Sequence, residues 1–353
     1  MSDFILYGAY GYTGRLISRY AAEYGLRPLL SGRNAAKLQA MSEEFGYAYE
    51  AVDLSDQAAL RSLLEKAPVV LHAAGPFVDT ASAMHEVCLA TNTHYLDITG
   101  EIEAFAKAQA LDRAALAKGI MLMPGVGFDV VPTDCMAAHL KERLPEATEL
   151  TLAFAWKRGG ISQGTAKSML NGLGKPGAIR RDGKIIPVPA AYDIKEFPFA
   201  VDRSRTAVTI PWGDVFTAYY TTGIPNIKTY FAAPKAQQKF MKWSNYLRPV
   251  LRQSFVKNYL RKKIEARPAG PTDEQRADAV GLVYGEAKSD DGRRVRARLK
   301  TLEGYTLTAK TALLITKKVV AGEFSPGYQT PAGLYGASLI LEISGCVLDD
   351  LAE

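Results

Sequence analysis

Seven residues near the start of the chain, Gly8-Ala9-Tyr10-Gly11-Tyr12-Thr13-Gly14, space three glycines as GxxGxxG. They stand between an apolar run, Phe4-Ile5-Leu6-Tyr7, and a stretch with apolar positions at helical spacing (Leu16, Ile17, Tyr20, Ala21, Tyr24). A strand, a glycine turn and a helix in that order can cradle a phosphate. The glycines bring backbone N–H groups close to a pyrophosphate, and the helix N-terminus adds partial positive charge. Glycine is common in any turn, so the loop alone is a weak signal. The strand before it and the helix after it make it a dinucleotide site.

The next apolar strand ends in Ser31-Gly32-Arg33-Asn34, with Lys37 one helical turn further on. A site for NAD usually carries an acid at this place to hold the ribose 2′-hydroxyl. Here there is none. Arg33 offers a planar fork for a 2′-phosphate and Lys37 a second positive charge, which selects NADP(H). A merely solvent-facing arginine would leave the missing acid unexplained. Asp53 ends a third strand, where it either accepts from the adenine amine or caps the next helix. The cofactor candidates are therefore Gly8, Tyr10, Gly11, Tyr12, Thr13, Gly14, Ser31, Arg33, Asn34, Lys37 and Asp53. Ala74, Gly75, Pro76 and Phe77, which follow a fourth strand, join them as neighbours of the nicotinamide ribose.

Hydride transfer asks the protein to hold the nicotinamide against a substrate and to supply or remove one proton. In an open parallel sheet the crevice lies beyond the C-terminal strand ends. Tyr95 and Asp97 lie in the fifth strand and share a face by the two-residue period. Glu101 and Asp129 lie on the loops after the fifth and sixth strands and rank first as proton donors. Each has a plainer reading, Asp129 as the cap of a helix near Pro132 and Glu101 as a charge at the N-terminus of the following helix. His72 alternates into a buried strand and reads as a satisfied core residue. Phe128, with Ser162, Gly164 and Thr165 at the start of a later helix, are the substrate candidates. Two Tyr-x-x-x-Lys pairs, Tyr259/Lys263 and Tyr284/Lys288, fall far from the glycine loop and read as chance. Three scattered cysteines without CxxC spacing and only four histidines make no metal set, so none is expected.

The elements that must position these residues alternate regularly. Strands near 4–7, 28–32, 47–52, 69–74, 94–99 and 120–123 are separated by helical stretches. That alternation predicts right-handed βαβ units and a parallel sheet. The pattern changes near residue 148. The stretch 148–232 is rich in Thr, Tyr, Val and Pro, with one helix at 162–173. A hairpin over 277–302 turns at Asp290-Asp291-Gly292, and 305–320 is helical. The expected fold class is α/β: a Rossmann-type doubly wound parallel sheet over 1–147, and a second α+β domain over 148–322 built on a largely antiparallel sheet. The second domain would serve substrate binding or oligomerisation. Residues 323–353 are expected to pack back on the first. The length, 353 residues, suits two domains.

In order, the segments 8–16 (GAYGYTGRL), 31–38 (SGRNAAKL), 74–77 (AGPF), 94–101 (HYLDITGE), 124–134 (PGVGFDVVPTD), 162–172 (SQGTAKSMLNG), 305–309 (YTLTA) and 326–332 (PGYQTPA) resemble the saccharopine dehydrogenase-like oxidoreductases. This broad family includes trans-acting enoyl reductases of bacterial lipid and polyketide pathways. The resemblance spans nearly the whole chain, and is far more specific than the glycine loop. It implies an NADP(H)-dependent reductase of an enoyl C=C bond in a lipid or polyketide-type substrate. The alternative chemistry is reduction of a C=N bond in an opine- or saccharopine-like amino acid, although no multi-arginine clamp for a dicarboxylic amino acid is visible. Two other classes compete: a non-catalytic NADP(H)-binding sensor and a membrane-associated scaffold.

Residues 235–264 hold nine Lys or Arg and no acid, interleaved with Phe240, Trp243, Tyr246, Phe255 and Tyr259. Such a basic amphipathic stretch suits an anionic membrane surface or an acidic carrier protein. The plainer reading is a pair of helices with solvated cations, broken at Pro249. A net charge of +6 is too mild to indicate nucleic acid. The expected partners are a small-molecule or carrier-bound acyl substrate, with a homodimer left open. No basic leader and no apolar run of membrane-spanning length is visible. The expected location is cytoplasmic, with the basic stretch as a route to peripheral membrane association.

Overall fold

Apolar runs buried on both faces form the first sheet, as all-parallel sheets require. In the computed structural model, which describes residues 2–200 and 203–352, Phe4, Ile5, Leu6, Val69, Val70, Leu71 and Leu96 are fully buried. Strands β1 (Phe4–Tyr7), β2 (Pro28–Gly32), β3 (Tyr49–Ala51), β4 (Val69–His72), β5 (His94–Asp97) and β6 (Met121–Met123) alternate with helices. The helices are α1 (Tyr12–Tyr20), α2 (Ala35–Phe45), α3 (Gln57–Leu64), α4 (Phe77–Thr91), α5 (Ile102–Ala110) and α6 (Asp112–Lys118). Helix α2 stops at Gly46, whose φ of 72° is left-handed and costs a glycine nothing.

Next come α7 (Val131–Arg143), β7 (Glu149–Lys157), α8 (Gln163–Gly172), β8 (Gly177–Arg181), β9 (Lys184–Val188), β10 (Ile194–Ala200), β11 (Arg203–Thr209), α9 (Asp214–Thr222) and β12 (Asn226–Phe231). The basic stretch folds as α10 (Lys235–Ser244), the single turn α11 (Arg248–Leu251) and α12 (Ser254–Glu265). Pro249 sits in the first turn of α11, where its missing N–H is harmless. The chain ends with α13 (Asp273–Ala277), β13 (Val280–Lys288), β14 (Arg294–Leu302), α14 (Gly304–Val320), β15 (Gly327–Tyr328), α15 (Pro331–Tyr335) and β16 (Val347–Leu351).

The first sheet has the order β15-β6-β5-β4-β1-β2-β3, with every pair parallel. Strand order reverses between β1 and β4, the place where such sheets open a ligand crevice. The second sheet runs β10-β11-β12-β7-β13-β14-β16, and β8 and β9 attach beside β12. Among the described residues only β12 and β7 pair in parallel, so the sheet is largely antiparallel. Tyr230, Phe197 and Tyr284 pack between its strands as an aromatic core.

The chain divides into two units, residues 1–131 with 305–334, and residues 132–304 with 335–353. Two contacts account for the divisions near 305 and 335. Thr311 of α14 donates to the carbonyl of Val126, which ties that helix to the first unit. β16 pairs with β14, which takes residues 335–353 into the second unit, whereas β15 pairs with β6. Helix α9 lies in a stretch whose composition predicts strand. Among the described residues no helix is long and apolar enough to cross a membrane.

Candidate cofactor crevice and proton donor

Sheet register places the ends of four strands in one row: Tyr7 is opposite Ser31 and His72, and His72 is opposite Asp97. The glycine loop leaves β1 at this row. A Cβ on Gly8 would come within 2.7 Å of the Ala74 nitrogen, so the loop lies directly on the turn after β4. A Cβ on Gly14 would meet the carbonyl oxygens of Gly8 and Ala9, both at 2.5 Å. Both glycines are thus demanded by backbone packing. Gly11 differs. Its added Cβ would meet only the Gly8 carbonyl, at 3.2 Å, and it sits at the N-cap of α1. The middle glycine leaves room at a helix N-terminus, which is what a pyrophosphate needs. Tyr12 stacks edge-on against Tyr305, with ring centroids 5.0 Å apart, and half-buried Thr13 lies in the first turn of α1.

The residues after β2 divide by role. Ser31 is buried and donates to the Glu50 carbonyl, so its hydroxyl holds β2 to the neighbouring chain. The Asn34 side chain caps α2 by accepting from the Lys37 N–H at 3.0 Å. Arg33 and Lys37 are exposed, and the Lys37 ammonium lies 5.6 Å from the Tyr10 ring centroid. Tyr10 in turn covers Gly32. A guanidinium, an ammonium and an aromatic ring therefore line the end of β2, a fitting seat for a 2′-phosphate and adenine. Asp53 does not cap α3; Asp56 does, accepting from the Ala59 N–H. The Asp53 carboxylate instead accepts from the Ser55 N–H and hydroxyl, which with Arg33 hold it below the usual range.

On the other side of the crevice, Ala74-Gly75-Pro76 turns through a cis Gly75–Pro76 bond into α4, which begins at Phe77. Glu101 reaches this turn, its Oε2 accepting from the Val78 N–H at 2.8 Å. It therefore serves the N-terminus of α4 as well as standing at the N-cap of its own helix, α5. The Thr80 hydroxyl donates to the Ala74 carbonyl and contacts His72 Nε2 at 3.0 Å. His72 is satisfied on that side only, since its Nδ1 is buried without a partner. Burial pushes His72 down to about 3, so it is neutral.

Asp97 and Tyr95 have no exposed surface. The Tyr95 hydroxyl donates to Asp97 Oδ2 at 2.6 Å, while the Thr99 and Gly125 N–H groups donate to Oδ1 at 2.9 Å. Asp97 thus ties the loop after β5 to the loop after β6. Burial outweighs these bonds and pushes its carboxyl up to about 6. This pair is sealed from solvent and joins the two loops. Phe128 is likewise buried, with its N–H held by the Thr308 hydroxyl at 3.0 Å.

Asp129 is different. It keeps partial solvent access and makes no hydrogen bond among the described residues, so it does not cap α7. Burial first, and the nearby Glu101 charge second, raise it to about 7. A half-buried, unpaired carboxyl at the C-terminal edge of the sheet, protonated near neutral pH, is equipped to give up a proton.

In the second unit, Ser162 is buried and caps α8, accepting from the Thr165 N–H at 3.1 Å; Gly164 is exposed and Thr165 half-buried. Of the two Tyr-Lys pairs, Tyr259/Lys263 is a surface cation–π contact on α12 and Tyr284/Lys288 lies on a strand. Sequence reasoning missed Thr308 and Thr311, whose hydroxyls hold the 126–128 backbone. Both stand in or near the segment 305–309 that carries part of the family resemblance.

Residues 4–123 match the family model described as the saccharopine dehydrogenase NADP binding domain. A trans-acting enoyl reductase of Mycobacterium leprae is 30% identical over 196 residues, covering 50% of this chain and 47% of that protein. A saccharopine dehydrogenase-like oxidoreductase of Rattus norvegicus is 24% identical over 240 residues, covering 59% of this chain and 56% of that protein. The chain therefore spans about half the length of these curated relatives. The apo saccharopine dehydrogenase (L-Glu forming) of Saccharomyces cerevisiae matches the whole fold, with a TM-score of 0.71, 13% identity and 100% coverage of both chains. Residues 4–123 thus form a domain of the NADP-binding class. What the family match reaches is this stretch, which is similar to the NADP-binding domain of saccharopine dehydrogenases.

Proposed function

We propose that the protein is an NADPH-dependent reductase of an enoyl C=C bond in an acyl substrate, with Asp129 as the proton donor. What supports this reading is the Asp129 carboxyl, mostly buried after β6 against the Gly100 backbone, without a hydrogen bond to a described residue and raised to about 7. Bound NADPH would supply a hydride to one carbon of the double bond. Asp129 would give its proton to the other carbon and recover one from water. Burial first, and the Glu101 charge second, favour protonated Asp129, and Glu101 fixes the turn at α4. Arg33 and Lys37 would hold the 2′-phosphate. The name shared by the mycobacterial relatives supports C=C over C=N chemistry. Reading Asp129 as a working acid also favours an enzyme over a sensor.

NADPH oxidation measured across enoyl thioesters and cyclic imines tests the proposal. Turnover of an enoyl thioester, reduced about a hundredfold or more in Asp129→Asn, is the expected result. Turnover of imines alone would move the activity to C=N reduction. NADPH binding without turnover of any substrate would make the chain a sensor.

A further inference from the structure

The basic segment 235–264 plays no part in the proposed crevice, and its side chains are placed in an uncommon way. One side of it is anchored. Gln238 donates to the Ala233 carbonyl, Asn245 exchanges hydrogen bonds with the Ala190 backbone, and Arg252 donates to the Gly174 carbonyl. Leu260 and Ile264 of α12 pack on Ala166 and Leu170 of α8. The other side carries large apolar groups in water: Trp243 is 66% exposed, Tyr246 82% and Phe255 69%, with Phe240, Val250 and Tyr259 also exposed. On α10, Phe240 and Trp243 are three residues apart. On α12, Phe255 and Tyr259 are four apart, so each pair shares a helix face. The segment carries nine cations, of which Lys263 lies over the Tyr259 ring, and none makes an ion pair with a described residue.

Exposed aromatics usually mark a binding surface. The cations decide what kind. Six of the nine are lysine, a residue depleted at protein–protein interfaces and enriched on the polar face of helices that lie in a lipid headgroup layer. Tryptophan and tyrosine are the side chains that settle at that depth. No acid occurs anywhere in the segment to repel an anionic leaflet. We infer that α10–α12 dock this protein on an anionic lipid surface, with Trp243 and Phe255 entering the headgroup layer and the lysines meeting lipid phosphates. This reading stands independently of the proposed reaction.

The test is flotation of the full-length protein with phosphatidylcholine vesicles, with and without phosphatidylglycerol, across a salt series. Binding only to the phosphatidylglycerol vesicles, fading as salt rises, is expected. The triple variant Lys239→Gln/Lys242→Gln/Lys262→Gln should bind about a hundredfold more weakly, since each cation near an anionic leaflet contributes roughly fivefold. Trp243→Ser should weaken binding at unchanged charge. NADPH affinity should match the parent in both, which certifies the fold. As a second readout, vesicles should shift the parent's tryptophan emission to the blue, and Trp243→Phe should abolish that shift. Absence of flotation, or equal flotation of parent and triple variant, would overturn the inference. So would capture of an acidic acyl carrier protein without vesicle binding, which would make the surface a protein interface.

Discussion

Asp129 lies on the backbone of Gly100, so close that a Cβ added at Gly100 would stand 2.8 Å from its Oδ2 and 2.9 Å from its Cβ. The loops after β5 and β6 can meet only because residue 100 has no side chain. Gly100→Ala must therefore push Asp129 aside while leaving the glycine loop after β1 alone. The expected outcome is a kcat/KM at least tenfold lower with NADPH affinity preserved, since misplacing a catalytic group by an ångström is costly. An alanine variant with full kcat/KM would show that the position of Asp129 does not matter to the reaction.

The same carboxyl should set the pH profile. A general acid must be protonated to act, and Asp129 is raised to about 7. kcat/KM should be level at acid pH and fall as pH rises through about 7, and Asp129→Asn should lose that limb. Glu101→Gln keeps an oxygen for the Val78 N–H but removes the like charge, so the falling limb should move to lower pH. A profile unmoved by Glu101→Gln would mean that the two carboxyls do not communicate.

The parts of this site that were legible in the sequence are those fixed by local pattern. β1 and β4 read as strands because they are mostly apolar runs, and the missing acid after β2 announced the cofactor. The parts that were not legible depend on pairs distant in the chain. Glu101 serves the Val78 N–H 23 residues earlier, and Thr308 holds Phe128 from 180 residues away. Nothing in the spacing around Asp97 says that its neighbours would bury it with Tyr95. Helix α9 (DVFTAYYTT) is built of β-branched and aromatic residues, and burial of Val215, Phe216, Thr217 and Ala218 overrides that strand preference. β16 has half-exposed residues and no apolar face to declare which sheet it joins.

Asp97 makes a prediction about stability rather than rate. Its folded value of about 6 lies above that of an unfolded aspartate, about 4, so the folded state binds the extra proton between them. Its contribution is most favourable below about pH 4 and is lost as pH rises through about 6. Asp97→Asn keeps an oxygen for the Thr99 and Gly125 N–H groups, and its amide can donate to Tyr95. That variant should flatten the fall in stability between pH 4 and 6, measured by denaturant unfolding. Asp97→Ala strands three donors and should cost about 2–4 kcal/mol at any pH. Parallel pH profiles for the parent and Asp97→Asn would place the titration elsewhere.

Cofactor choice rests on Arg33. It is exposed, with Lys37 and Tyr10 beside it at the end of β2. Arg33→Asp replaces a donor fork with an acid suited to a ribose 2′-hydroxyl. NADPH affinity should fall about tenfold or more, while NADH affinity holds or improves. Lys37→Ala should have the same sign and a smaller size, because an ammonium contributes charge without a bidentate fork. Titration of each variant with both cofactors decides it; equal losses for NADPH and NADH would remove the 2′-phosphate role.

The glycine loop allows the sharpest separation of fold from function, because its glycines are alike in type but not in what surrounds them. Gly14 has carbonyl oxygens of Gly8 and Ala9 where its Cβ would be, both at 2.5 Å. Gly14→Ala must move backbone, at an expected cost of about 1–3 kcal/mol as overpacking. Gly11 meets only one atom, the Gly8 carbonyl at 3.2 Å, and its φ of −67° is open to any residue. Gly11→Val should therefore unfold at nearly the parent's denaturant midpoint and yet fail to bind NADPH, its branched side chain standing where the pyrophosphate meets the N-terminus of α1. Gly14→Ala should show the reverse order: a lowered midpoint, with cofactor binding reduced only as far as the loop is displaced. Denaturant midpoints and NADPH titrations on the two variants give four numbers that must fall in this crossed pattern. If Gly11→Val binds NADPH as the parent does, the pyrophosphate does not lie at this loop, and the assignment of the crevice fails with it.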